Sequence, residues 1–463
     1  MRQSVRILGG LAVAAGLVLA QSGAVLTGQS RALRFQSRQD AQSPPRNVPG
    51  IDKQVVVVTG EITGVENWTS NFYWVLRGAV FVRDGAILNI QPGTRVIGEA
   101  GTIGTLIVER GGMLNAIGTL EQPIVFTSDQ APGSRQKGDW GGLIINGRAV
   151  VNQGGGEVEG EADTGIYGGT NDADSSGSLK FVRVEFAGTE FSPDNELNGI
   201  AFQAVGNGGS YEYIQVHSNR DDGVEWFGGT ATIKRVVLSN IADDSFDWTF
   251  GWRGKAQFVA IVKRGDDGDW TVEADSNEFN NNLEPRANPQ IYNFTSCGDP
   301  STASNRPDAR RAVLFRRGTA VTFRNFVLFG SHKGTSGSNL GLQIDGSTTH
   351  AQVANGLTQI GAGVITQATL TPAANDVHAD SRPYITSGRF PDVRLGVDPG
   401  LSAECFNVAA PNFVPAAGSL AGGLLPPIQP PADGFFEPVT FTGAVGPNSE
   451  DNWISGWTAF EQQ

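Results

Sequence analysis

Between Ile214 and Trp270 the chain repeats itself at a spacing of 22 residues, which carries Trp226 onto Trp248 and Trp270. The same shift carries Asp222 onto Asp244 and Asp266, Glu225 onto Asp247 and Asp269, and the apolar Ile214 onto Val236 and Phe258, with Val216, Leu238 and Ala260 following. Tryptophan is scarce, 9 of 463 residues, so three on one period mark a repeat rather than a coincidence. A unit this short cannot bury its own apolar face, and copies have to stack to make a core. Leucine-rich repeats would show their leucine signature, helical repeats a 3.6-residue period, and propeller blades about 40 residues each. None of these is present. The remaining solution is all-β, a right-handed parallel β-helix of 22 to 25 residues per coil, its coils about 4.8 Å apart.

Elsewhere the pattern is fainter and agrees. Val80 to Thr94 resembles Leu106 to Thr119, with Leu88 on Leu114 and Pro92-Gly93-Thr94 on Ile117-Gly118-Thr119, about one coil apart. Short β-branched and aromatic runs such as Val80-Phe81-Val82, Leu106-Ile107-Val108 and Leu143-Ile144-Ile145 sit between Gly, Asn and Asp. Glycine is 62 of 463 residues and charged residues 17 %, a turn-rich composition with little room for helix. Residues 153–178 and 273–311 carry little strand signal and read as loops leaving the coils. The division predicted is a signal peptide over 1–24, a polar linker over 25–50, the β-helix over 51–369, and a C-terminal irregular segment over 370–463 that caps its open end.

The first 24 residues have the basic, apolar and small-residue parts of an export signal: Arg2 and Arg6, then Ile7 to Leu19, then small residues near Ala20 or Ala24. The expected location is therefore extracellular, at the cell surface or periplasmic, and no later segment is apolar and long enough to span a bilayer. In an oxidising compartment Cys297 and Cys405, the two cysteines, are a candidate disulfide. Four scattered histidines, His217, His332, His350 and His378, make no zinc or Cys-His pattern. A net charge of −13 argues against nucleic acid or anionic lipid as partner and leaves cations or cell-surface glycans, although solubility alone also selects for acidity.

Strand alternation sends Trp226 and Trp248 to one face and Glu225 and Asp247 to the other. The tryptophans, with Trp270, either fill the core as an aromatic stack or form an outward platform for sugar rings; their apolar neighbours favour the core. The acids form two ladders, Asp222/Asp244/Asp266 and Glu225/Asp247/Asp269, with Asp221, Asp243 and Asp267 beside them. Carboxylates about 5 Å apart raise one another's pKa unless something neutralises them. Ca²⁺, which takes six to eight oxygens, is one candidate, and Arg220 and Arg264 are others. Against a metal stands the ordinary use of Asp in turns, accepting from backbone amides.

Paired carboxylates could also work as acid and base on a glycosidic bond, or hold a Ca²⁺ that assists β-elimination. The Asp221-Asp222, Asp243-Asp244 and Asp266-Asp267 pairs have a superficial likeness to the Asp pair of β-helical polygalacturonases, but the Gly-His-Gly element of those enzymes is absent. A broader resemblance lies in Asp221 to Gly229, Ala242 to Trp248, and the ending Asp451-Asn452-Trp453-Ile454-Ser455-Gly456-Trp457-Thr458. In these the chain resembles secreted bacterial proteins of the pectin-lyase-like β-helix type over most of 51–463. The resemblance implies the fold and a surface location and carries no catalytic residue. The expected function is an exported, non-enzymatic protein that binds cations or glycans along its acidic strip. A polysaccharide lyase or glycoside hydrolase using that strip, and a structural or adhesive surface component, are the alternatives.

Overall fold

Apolar residues at every second position of short strands can be buried on one side only if another coil covers them, and the described strands of the main sheet, from Gln54 to Leu395, stack in this way. The computed structural model describes residues 53–461, apart from 154–157, 160–163, 193–194, 265–266, 300–311, 331–340 and 367–381. The segments expected to be signal peptide and linker, and with them Asp266, His332 and His378, lie outside the described residues. Among the described residues twenty-three strands join in one sheet whose pairings are all parallel, coiled into the expected β-helix. Ser210–His217, Thr232–Ser239, Lys255–Lys263, Gln290–Gly298 and Thr322–Phe329 stack in order. Ile200–Gln203, Val224–Phe227, Phe246–Thr249, Val272–Ala274 and Val313–Phe315 stack beside them. Among the described residues no helix is long and apolar enough to cross a membrane.

Each coil turns at corners where the backbone enters the left-handed region. Phe181, Tyr213, Arg235, Phe258, Asn293, Asn325 and Ala362 form one such column, with φ between 47° and 61°. Each interrupts a long strand, so the residues before and after it pair with the neighbouring coil on two different faces. Phe186, Ser218 and Asn240 make a second column, and Ala204, Gly228 and Phe250 a third. Left-handed backbone at a residue with a side chain costs about 1–2 kcal/mol, so columns of it persist only because stacking on both sides imposes them.

The register differs in detail from the 22-residue period. Val224 pairs with Phe246 and Trp226 with Trp248, as the period predicts, but on the next coil Trp248 meets Ala274 and Asp247 meets Glu273. The coil has lengthened by four residues. Ser239 pairs with Val262, one residue later than the period requires, and three more are taken up before Val272 in the glycine- and aspartate-rich turn. Trp270 is therefore not in the stack. Ala274 holds the place expected of Trp270, and the ring stacked on Trp226 is that of Trp252, at 4.4 Å and 16°, with Phe202 stacked on Trp226 as well at 5.6 Å and 10°. All three rings lie in the core with Trp248, fully buried. Phe258 is likewise displaced to a corner, and Val259 and Ile261 take the positions expected of Phe258 and Ala260. In the early repeat Leu88 does pair with Leu114 and Val80 with Leu106, whereas Gly93 bonds to Gln122 rather than lying over Gly118.

Two further expectations are corrected. The stretch 273–311 contains the nine-residue strand Gln290–Gly298, whose polar residues obscured its alternation. The sheet also runs past 369 to Val393–Leu395, with Phe390 and Tyr384 packed on the core beside it, and from Ile428 the C-terminal segment lies as a strap along the flank. Its backbone bonds to side chains of several coils: Asn325 with Ile428, Gln257 with Glu437, Asn293 with Gly443, Gln215 with Ala459, and His217 with Glu461. Amides suit this because each offers a donor and an acceptor, as a peptide group does. Cys405 is joined to Cys297 of the strand Gln290–Gly298 by a disulfide, with Cα atoms 5.8 Å apart, closing a loop of 108 residues. Replacing both cysteines by serine should lower stability by about 2–4 kcal/mol. Denaturant melts check this, and an unchanged midpoint would show that the noncovalent contacts alone hold the strap.

Candidate functional site

Outward positions of the strands Val224–Phe227, Phe246–Thr249 and Val272–Ala274 bring three acids into line. Glu225, Asp247 and Glu273 pair in register on consecutive coils, with Ala201 on the coil before and Leu314 on the coil after. The tryptophans occupy the inward positions next to them, so packing of the core fixes the acids at the spacing of the coils. Beside this column two turn residues are buried: the Asp222 carboxylate accepts from the Asp244 amide at 2.9 Å, and the Asp244 carboxylate accepts from the Trp270 amide at 2.5 Å. Both therefore do the turn-stabilising work that Asp often does, while one group of carboxylates still converges on another. Oxygens of Asp222, Glu225 and Asp247 lie within 4.8 Å of one another, as do those of Asp244, Asp247 and Glu273, and those of Asp221, Asp222 and Asp243.

Of the acids and bases the 22-residue period picks out, the structure gathers Asp221, Asp222, Asp243, Asp244, Glu225 and Asp247. Asp269 stands outside the column because of the longer turn; its backbone carbonyl accepts from the Lys263 ammonium. Asp267 pairs with Lys137 at 2.6 Å, and Arg220 with Glu190 at 2.7 Å, so neither belongs to the strip. Arg264 is exposed at the end of its strand. Glu273, Asp275, Arg316 and Arg317 are the residues the period misses. Arg316 bonds both Glu273 and Asp275, the latter at 2.8 Å, and Arg317 bonds Asp275 at 2.6 Å. At the other end Asn198 donates to Glu225 at 2.7 Å. The alternation Val272-Glu273-Ala274-Asp275, read at a shift of 26 from Asp247, is the signal that would have found the third acid.

The electrostatics follow from this crowding. Burial raises the pKa of Asp222, Asp244 and Asp247 well above the ordinary carboxylate range, and their acidic neighbours push further in the same direction. Glu273 is pushed up to about 7, mainly by burial, even though Arg316 pulls the other way. Burial brings Lys263 down to about 8, against the attraction of Asp244 and Asp269. The strip can thus take up protons near neutral pH, or hold a hard cation on oxygen ligands from several coils.

A family model described as pectate-lyase-like β-helix domain matches residues 60–389. The chain belongs to this family. No curated protein and no solved structure matches it. In this pectate-lyase-like β-helix the central carboxylate is Asp247, which stands in both of the converging groups on the outward column. Asp247→Asn should therefore raise the melting temperature at pH 7.5 in a chelator, because it removes a charge from both groups while keeping the shape. A lower melting temperature would mean that the charge of Asp247 is already compensated in the folded chain.

Proposed function

We propose that this chain is an exported, non-enzymatic β-helical protein that binds divalent cations, Ca²⁺ foremost, on Asp222, Glu225, Asp247, Asp244 and Glu273. The observation that carries the reading is the in-register column Glu225, Asp247 and Glu273, with two groups of three carboxylates each gathered within 4.8 Å. Ca²⁺ accepts six to eight oxygens in loose geometry and would convert mutual repulsion into shared coordination, leaving positions open for water or glycan hydroxyls. Export is supported by the basic and apolar N-terminal residues Arg2 to Leu19, and by the Cys297–Cys405 disulfide, which suits an oxidising compartment. A glycan-cleaving reading has one specific support, since a carboxyl such as Glu273, titrating near 7, suits a general acid.

The pH dependence separates cation binding from simple turn chemistry. Carboxyls whose folded pKa is raised keep their full contribution to stability below the unfolded value and lose it as pH rises through the folded one, for Glu273 between 4.5 and about 7. Without divalent cations the melting temperature should therefore fall across that window. Ca²⁺ at about a hundredfold over its Kd should restore a few degrees at pH 7.5 and much less at pH 5, where the ligands are protonated. Absence of a shift at both pH values would remove the cation site. Release of reducing or unsaturated ends from uronic-acid or neutral polysaccharides, abolished by Glu273→Gln, would instead favour the enzyme; turnover unaffected by that substitution would take the strip out of the chemistry.

A further inference from the structure

The motif Asp451 to Thr458 has no part in the acidic strip, yet it builds one wall of a cleft of about 330 Å³ between the strap and the flank of the β-helix. The other wall is the left-handed corner column, Phe181, Tyr213, Arg235 and Phe258, from four consecutive coils. Phe181 and Tyr213 stack at 4.3 Å, and the Arg235 guanidinium lies between the rings of Tyr213 and Phe258, 5.1 Å and 5.2 Å from their centres. Trp457, buried in the strap, meets Phe181 and Tyr213 edge-on at 5.9 Å and 6.0 Å. Trp453 lines the cleft with its indole nitrogen bonded to the Ala444 carbonyl at 2.9 Å. These contacts make the wall preformed, so a ligand would spend little on ordering it.

We infer that this cleft binds a saccharide unit that carries no carboxylate, a neutral hexose or an amino sugar. Its volume falls at the lower end of small-ligand sites, and its lining mixes aromatic carbon with a few convergent polar groups, the combination that grips a sugar's apolar face and its hydroxyls together. Glu437, Glu450 and Asp451 supply acceptors for hydroxyl or ammonium hydrogens, and Asn452 supplies both a donor and an acceptor. Charge sets the class of sugar. Arg235, the basic side chain of the lining, is already engaged by Glu437 at 2.6 Å and by Glu212 at 3.8 Å, so a uronate would enter among three carboxylates with its natural counter-ion taken. The site lies at a corner of the coil built from Ser210–His217 and its neighbours, whereas the acidic strip follows Val224–Phe227 and its neighbours, and the two are independent.

Calorimetric titration of the mature chain with cellohexaose, chitohexaose and hexagalacturonate tests this. Saturable binding of cellohexaose or chitohexaose is expected, weakened about tenfold by Asn452→Ala, as loss of a hydrogen bond or two would do. The same binding should be indifferent to Ca²⁺ or chelator, which separates it from the acidic strip. Glu450→Gln, on an exposed residue, gives a second variant with the fold intact, checked by an unchanged melting temperature. Failure of both cellohexaose and chitohexaose to bind, binding that neither variant alters, or a preference for hexagalacturonate would each overturn the assignment.

Discussion

Coil-on-coil stacking through parallel hydrogen bonds decides almost everything else in this molecule, because it obliges equivalent side chains to meet at a fixed short distance. Inside, that obligation is favourable: Phe202, Trp226 and Trp252 fill the interior with layered rings and exclude water. Outside, it forces Glu225, Asp247 and Glu273 into a line that no set of free side chains would choose. The two outcomes share one cause. Burying the tryptophans holds the acids together, and the acids can relax only by taking a proton, a guanidinium such as Arg316, or a cation.

The corners are the second consequence of stacking. A coil that must close on three faces needs abrupt turns, and the chain makes them at single left-handed residues stacked in columns. Side chains at and beside these corners point away from the core and are free for other uses. Asn293 and Asn325 bond the backbone of the strap, and Phe181, Tyr213 and Phe258 form an aromatic wall. Structural necessity at the corner thus supplies the raw material for a surface.

The sequence was legible where coil length held constant. Trp226 with Trp248, and Glu225 with Asp247, fall one 22-residue step apart, and both pairings are in the structure. The next step fails because the turn before Val272 absorbs extra residues, which a fixed period cannot anticipate. A fixed period therefore passes over Trp252 and Glu273 and points to Trp270 and Asp269, although the Asp244 carboxylate does reach the Trp270 amide. Gln290–Gly298 was hidden for a different reason: its outward Asn293 and Thr295 look like loop residues until the strap that they bind is known. Partners remote in the chain leave no local trace.

A stack in which each coil touches only its neighbours behaves like a zipper and can fray from either end. The strap changes that behaviour. Running from Ile428 beside Asn325 back to Glu461 beside His217, it stitches late coils to earlier ones and is anchored covalently upstream at Cys297. Opening the far end would then require peeling the stitch from the middle coils as well. A linear array is thereby given the all-or-none character of a globular domain, its ends held by contacts made far from them.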